Sequence, residues 1–203
     1  EREELVLRQD ERLARPSASP VAPPPARPAP PTGTITFGSV VIVDLDEMWS
    51  EQPRTAAELV AVVEAHLDRE SAAHHGVVFG RGPEGMAVAF ERAADAIEWS
   101  VRLHEAIEDD DWRDGTPTLR IALHTGEADA RNGTYFGPAV TTSQRLAGLA
   151  HGGQTIVSAS TAAIDDSRAT SLGTFVVDGF AAELELHQVG SQPFPAPRLT
   201  RRP

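Results

Sequence analysis

The stretch from His74 to Phe90, "HHGVVFGRGPEGMAVAF", decides the fold. Gly80, Gly82 and Gly85 spell a literal G-x-G-x-x-G. In a dinucleotide-binding unit that pattern ends a strand and opens a helix, whose N-terminal amides then face a pyrophosphate. Here the residues that follow, "MAVAF", are a short apolar run that reads as a second strand. Pro83 also removes one of the N–H donors that a phosphate would need. The stretch therefore reads as two strands, "GVVF" and "MAVAF", joined by a glycine-rich hairpin turn.

Working outward, strand-like and helix-like segments alternate on both sides of this hairpin. "TITFGSVVIV" is expected to be a first strand, followed by an amphipathic helix over "RTAAELVAVVEAHLDRESAAHH" with Leu59, Val62, Val63 and Leu67 inward. A second helix is expected over "ERAADAIEWSVRLHEAIEDD", with Ala93, Ile97, Val101 and Leu103 or Ile107 inward. "TLRIALHTG" is a strand, "EADAR" its expected return partner, and Asn132-Gly133 a turn signal. A third helix runs through "PAVTTSQRLAGLA", a strand through "QTIVS" and a short helix through "STAAIDDS"; "GTFVVDGF" and "AELELHQVG" form a closing strand pair. The order β-α-β-β-α-β is the ferredoxin-like plan of an α+β domain, with extra C-terminal elements. Its helices are expected on one face of an antiparallel sheet, leaving the other face to a partner or to further cover.

The flanks differ in composition. Residues 1–15 read as a charged helical segment with a thin apolar stripe (Leu5, Val6, Leu13), residues 16–32 as a Pro-rich linker, residues 33–190 as the folded domain and residues 191–203 as a flexible tail. Eight of the sixteen prolines fall between Pro16 and Pro31. With no cysteine and no lysine, the chain lacks thiolate metal sites, cysteine nucleophiles, a Walker lysine and Schiff-base chemistry. The net charge of −12 becomes −15 on residues 34–188 once the balanced first 33 residues and the three tail arginines are set aside. Such a surface repels a phosphate backbone, which argues against nucleic-acid binding. No run approaches membrane-spanning length and none resembles a signal peptide, so a soluble, cytoplasmic protein is expected. All-arginine basic content points to a GC-rich bacterial genome.

Three strings, "HTGEADARNGTYFGPAV" (124–140), "RLAGLAHGGQTIVSAST" (145–161) and the opening hairpin, together with "ADAIEWSVRLHEAI", resemble the catalytic domain of class III adenylate/guanylate cyclases. The resemblance covers residues 33 to about 190 and implies the cyclase variant of the ferredoxin-like fold. It also implies a homodimer, or a heterodimer with a cyclase-like chain, because the family's active site is shared across two subunits. Cyclases of this class hold two metal ions on two aspartates. A lysine with an aspartate or threonine reads the purine, and an asparagine and an arginine stabilise the transition state.

Carried over residue by residue, most of those positions are altered. Aligned without a gap, the first metal aspartate falls on Val41; a gapped register puts Asp44 there instead. The hairpin counterpart of the purine-reading lysine is Gly80, and that of the second metal aspartate is Glu84. The second purine-reading position is Thr134, and the family's V-N-x-x-x-R becomes Val140 to Arg145, with Thr141 replacing the asparagine and Arg145 retained. Arg145 has two readings, a vestigial transition-state cation or an ordinary partner for a nearby acidic residue. His124 reads as a structural hydrogen-bonding residue, His74 and His75 as a helix end, and "EDDDWRD" (108–114) as a solvated loop. The resemblance therefore implies a catalytically degenerate cyclase homology domain that dimerises, binds a protein partner reached through the Pro-rich linker, and binds a nucleotide. No cofactor is expected, with Mg²⁺ or Mn²⁺ needed only if cyclase activity remains. The alternative implied is a weak or heterodimeric adenylate/guanylate cyclase.

Overall fold

The computed structural model describes residues 31–83, 85–112 and 115–199. The expected charged segment, most of the Pro-rich linker, Glu84 and the last four residues lie outside that range. Among the described residues, no helix is long and apolar enough to cross a membrane.

β1 (Thr34–Ile42) is the middle of the domain, and its sequence explains why. "TITFGSVVI" is buried on both faces for most of its length, as a strand must be when it has neighbours on both edges and cover above and below. β3 (Gly85–Phe90) and β4 (Leu119–Glu127) pair with it antiparallel, and β2 (Val77–Gly82) extends the sheet beyond β3. The hairpin reading of the opening stretch is thus the observed one. β7 (Thr155–Ser158) joins β4 in parallel, and β9 (Leu184–Val189) with β8 (Ala169–Phe175) finishes a seven-stranded sheet of order β2-β3-β1-β4-β7-β9-β8. The order β2-β3-β1-β4 is the ferredoxin-like arrangement.

Alternation along β1 separates two cores. Val40 and Ile42 face α2 (Pro53–Ala73) and α3 (Ala93–Glu108), where Leu59, Val63, Leu67, Ile97, Trp99, Leu103 and Ile107 close the main cluster. Gly38 lets Trp99 reach the strand: a Cβ there would sit 2.6 Å from the indole ring. Ile35, Phe37 and Ser39 face the other way. They meet α4 (Pro138–Leu149) and a small separate hairpin, β5 (Asp129–Arg131) with β6 (Thr134–Phe136). There Phe37, Phe79 and Tyr135 pack edge to face, and the Ser39 and Ser143 hydroxyls bond at 2.8 Å.

Several expectations are corrected. The two helices of the core plan, α2 and α3, share one face as expected, and α4 supplies the cover of the other face from within the same chain, since Ser39 and Val40, adjacent in sequence, contact opposite layers. "EADAR" pairs with β6 and not with β4, since Asn132 (φ 52°) and Gly133 (φ 78°) close a tight two-residue turn of their own. Val62 is 38% exposed, its place on the inner face taken by His66. Val101 is only half-buried, and Trp99 is the buried centre of α3. Asp46 lies on a short helix, α1 (Leu45–Glu51), and Asp44 in the turn that precedes it. The short helix near 160 is a single turn, α5 (Ala159–Ala162).

Candidate functional site

β1 ends beside the turn of the β2–β3 hairpin, and a cleft of about 370 Å³ opens there. Val41, Asp44, Asp46, Glu47, Glu64, Pro83, Gly85, Arg120 and Arg198 are among the residues that line it. Close packing at the strand end sets the geometry. Gly82 pairs with Gly85, whose φ of +121° and approach to the Val40 carbonyl leave no room for a Cβ, which would lie 2.4 Å from that oxygen. Val41 pairs across the sheet with Arg120 and packs partly against the α4 core. Asp44 is the left-handed residue (φ 56°) that starts α1, and its carboxylate makes no capping bond there. The two alternatives for the first metal position, Val41 and Asp44, therefore line the same cleft.

Among the described residues, the cleft gathers no donor set for a pair of divalent metals. Val41 offers no ligand atom, and among the described residues no group of three or more His, Asp or Glu side chains is placed to hold an ion. Two guanidiniums, Arg120 and Arg198, line the cleft instead. Burial, and next the neighbouring Arg198 charge, hold the Arg120 pKa below the ordinary arginine value, against the opposing effect of Asp44. Arg120 Nε is buried with no hydrogen-bond partner.

The second group of predicted residues lies elsewhere. Gly80 pairs with Ala87 on β3, Thr134 lies on β6, and Thr141 and Arg145 lie on α4. None of the four lines the cleft. One chain thus keeps the metal-side and purine-side positions apart.

No family model matches this chain. Among curated proteins, the uncharacterized protein Rv0891c of Mycobacterium tuberculosis is 30% identical over 168 residues, covering 82% of this chain and 55% of that protein. The uncharacterized protein Mb0915c of Mycobacterium bovis matches with the same figures. The chain therefore spans about half the length of these curated relatives. Among solved structures, adenylate cyclases of Trypanosoma brucei in their monomeric state superpose with a TM-score of 0.77 at 17% identity, over 87% of this chain and 99% of that one. An adenylate/guanylate cyclase/hydrolase of Silicibacter pomeroyi gives 0.68 at 19% identity, over 79% and 98%. A dimeric guanylyl cyclase domain of Blastocladiella emersonii gives 0.65 at 16% identity, over 77% and 95%. This is the adenylate/guanylate cyclase fold.

Within the cyclase fold, Arg145 is already occupied. Its Nη1 donates to the Gly179 carbonyl at 2.7 Å, and its guanidinium lies 5.6 Å from the centre of the Phe180 ring. Among the described residues its partner is this backbone and ring, and not an acidic side chain. Thr141 turns its hydroxyl back toward the Gly137 carbonyl at a weak 3.5 Å.

His124 is placed as a structural residue: Nδ1 lies 3.0 Å from the Ser158 hydroxyl, and burial lowers its pKa. His74 and His75 end α2, His75 in the left-handed region at φ 58°. In the described part of the acidic run, Glu108 to Asp111 are exposed, and two side chains there are tied back to the domain. Asp110 bonds His66 Nε2 at 2.5 Å, and Trp112 Nε1 donates to the Ile107 carbonyl. Arg69 can only donate to His66 Nδ1, so Nε2 carries the proton given to Asp110, and that bond first of all depresses the Asp110 pKa. His66 escaped sequence reasoning although it interrupts the apolar stripe between Val63 and Leu67. Arg120 also did, and its signal was its polar place in the alternating "LRIALH".

Proposed function

We propose that this chain is a catalytically degenerate cyclase domain that acts as a dimerising regulatory module, binding a protein partner and a nucleotide. The observation that carries the reading is the apolar Val41 side chain at the open end of β1, where a cyclase would present its first metal carboxylate. Thr141 in place of an amide, and Arg145 already held by Gly179 and Phe180, support it. Removing one group of this kind costs about 10²- to 10⁴-fold in rate, so several together leave little turnover even when the losses do not add. Phe136 and Val176, exposed at 56% and 73%, are apolar surface suited to a protein contact. The dimeric neighbour of the same fold supports a self-association of this kind. The Pro-rich composition of residues 16–32 supports a partner reached through that stretch.

Asp44, facing the same cleft, favours a second reading: a subunit that completes the site of a cyclase-like partner. The test is a cyclase assay of the pure chain with ATP and with GTP in Mn²⁺, run beside light scattering. No cyclic nucleotide from a self-associating protein is the expected result. Robust product that disappears in Arg145→Ala would overturn the degenerate reading. A monomer at high concentration would remove the dimerising one.

A further inference from the structure

The two edges of the sheet are finished differently. β2 stands at one end of the strand order and β8 at the other. The β2 edge is guarded: Phe79 packs edge to face against Tyr135 of β6, and Arg81 pairs with Asp68 of α2 and lies 3.9 Å from Glu64. A covering element and a charged side chain are what natural sheets use to keep an edge from pairing with another chain.

β8 has neither. Among the described residues its one strand neighbour is β9, so its outer edge presents backbone N–H and C=O groups that no ladder satisfies. From Ala169 to Val177 the chain reads "ATSLGTFVV", with no charge and no proline, inside a region whose net charge is −15. Thr170, Ser171, Gly173 and Thr174 are exposed, and Val176 just beyond the strand is 73% exposed. The charges return at the two ends with opposite sign. Arg168 pairs with Glu98 at 2.7 Å, and Asp178 makes no ion pair among the described residues. A bulge at Leu172, with Gly173 at a φ of +104°, bends the strand and keeps the open ladder short.

We infer that β8 is a self-association edge, on which a second copy of this chain adds its own β8 antiparallel across a two-fold axis. Such an axis sets the same edge on both sides, so the open donors of each strand meet the open acceptors of the other. Charge selects this partner and this place: two equally acidic copies repel over most of their surfaces and approach most easily where neither carries charge. With the axis at Gly173, the midpoint of the uncharged run, Arg168 of each copy lies opposite Asp178 of the other. The inference rests on the dimerising reading above and adds the surface that is used. β8 contributes no residue to the cleft and lies at the far end of the strand order from the hairpin that does, so pairing here leaves the cleft of each copy as it is.

Sedimentation velocity of the full chain over a concentration series tests it. The chain is expected to form a reversible dimer. Thr174→Lys and Thr174→Glu, each of which sets like charges beside the axis, are expected to weaken that dimer on the order of tenfold, and an equimolar mixture of the two to regain it as Lys meets Glu. Thr174 is exposed, and circular dichroism of each variant checks that the domain has folded. Because the chain has no cysteine, a nitroxide on Thr174→Cys is a single label per copy. Its distance to the label on the second copy is expected to be a few strand spacings of about 5 Å each. Single variants that dimerise as the unaltered chain does, a mixture that stays monomeric, or labels a whole domain apart overturn the inference and leave the dimerising reading standing. An unaltered chain that stays monomeric at high concentration removes both.

Discussion

The two ends of β1 follow different rules. From Ile35 to Val40 every residue is buried, wedged between the α2–α3 layer on one side and α4 with the β5–β6 hairpin on the other. One residue later, at Val41, the strand opens onto a cleft whose lining includes four exposed or half-exposed carboxylates and two arginines that make no ion pair among the described residues. The closed end specifies the cyclase fold, and the open end is where a cyclase would do its chemistry. The first is built by packing, which sets a fold and does not by itself confer a chemistry.

The contrast predicts a gradient of sensitivity to substitution. Trp99→Ala empties the centre of the closed end and is expected to cost about 3–5 kcal/mol in urea unfolding. A loss below 1 kcal/mol would mean the α3 layer repacks freely and the two ends are not so different.

His104, on the same helix, is half-buried beside the Thr155 hydroxyl at 3.1 Å, and desolvation there lowers its pKa to about 4. Because the unfolded chain protonates near the ordinary value and the folded one does not, the unfolded state binds more protons between about pH 6.5 and pH 4. Stability should therefore fall by up to about 3 kcal/mol as pH drops through that window, and His104→Gln should flatten the fall. An unchanged acid profile in that variant would place the titration elsewhere.

Toward the periphery, Arg145→Ala loses one charged hydrogen bond and a ring contact at an exposed site, for an expected cost of about 1 kcal/mol. Faster amide exchange confined to the segment around Gly179 and Phe180 is the accompanying sign, and its absence would deny Arg145 a role in holding that loop. The smallest effect is expected at the open end: Val41→Asp should change stability by no more than about 1 kcal/mol, since the new carboxylate lies opposite Arg120. A loss above 3 kcal/mol by the same denaturation would show that Val41 belongs to the core after all.

Much of the closed end was legible in the sequence because it is periodic. β1, the β2–β3 hairpin, α3 and β4 follow alternation or helical spacing over enough residues to be read. α1 was not legible: it has seven residues, no buried side chain and a left-handed start at Asp44 without a capping bond, so no period or cap marks it. Nor does helical spacing say which face of a sheet a helix covers, so that α4 would close the second face was left open. At the open end, resemblance led to Val41 and Asp44, which do share the cleft. The place of Arg198 beside the cleft was hidden because it depends on a chain reversal after β9 that leaves no local pattern, only the pairing of Phe194 and Ala196 with distant His151.

The Tyr135 hydroxyl, deep in the aromatic group of Phe37 and Phe79, donates to the Pro31 carbonyl at 2.7 Å, and burial raises its pKa to about 12. That bond ties the segment leading into β1 to the rigid face of the domain, away from the cleft. A pull at Pro31 is thus delivered to the aromatic cluster. The bond is a mechanical insulator: load arriving at Pro31 meets the packed layer before it reaches the cleft at the other end of β1.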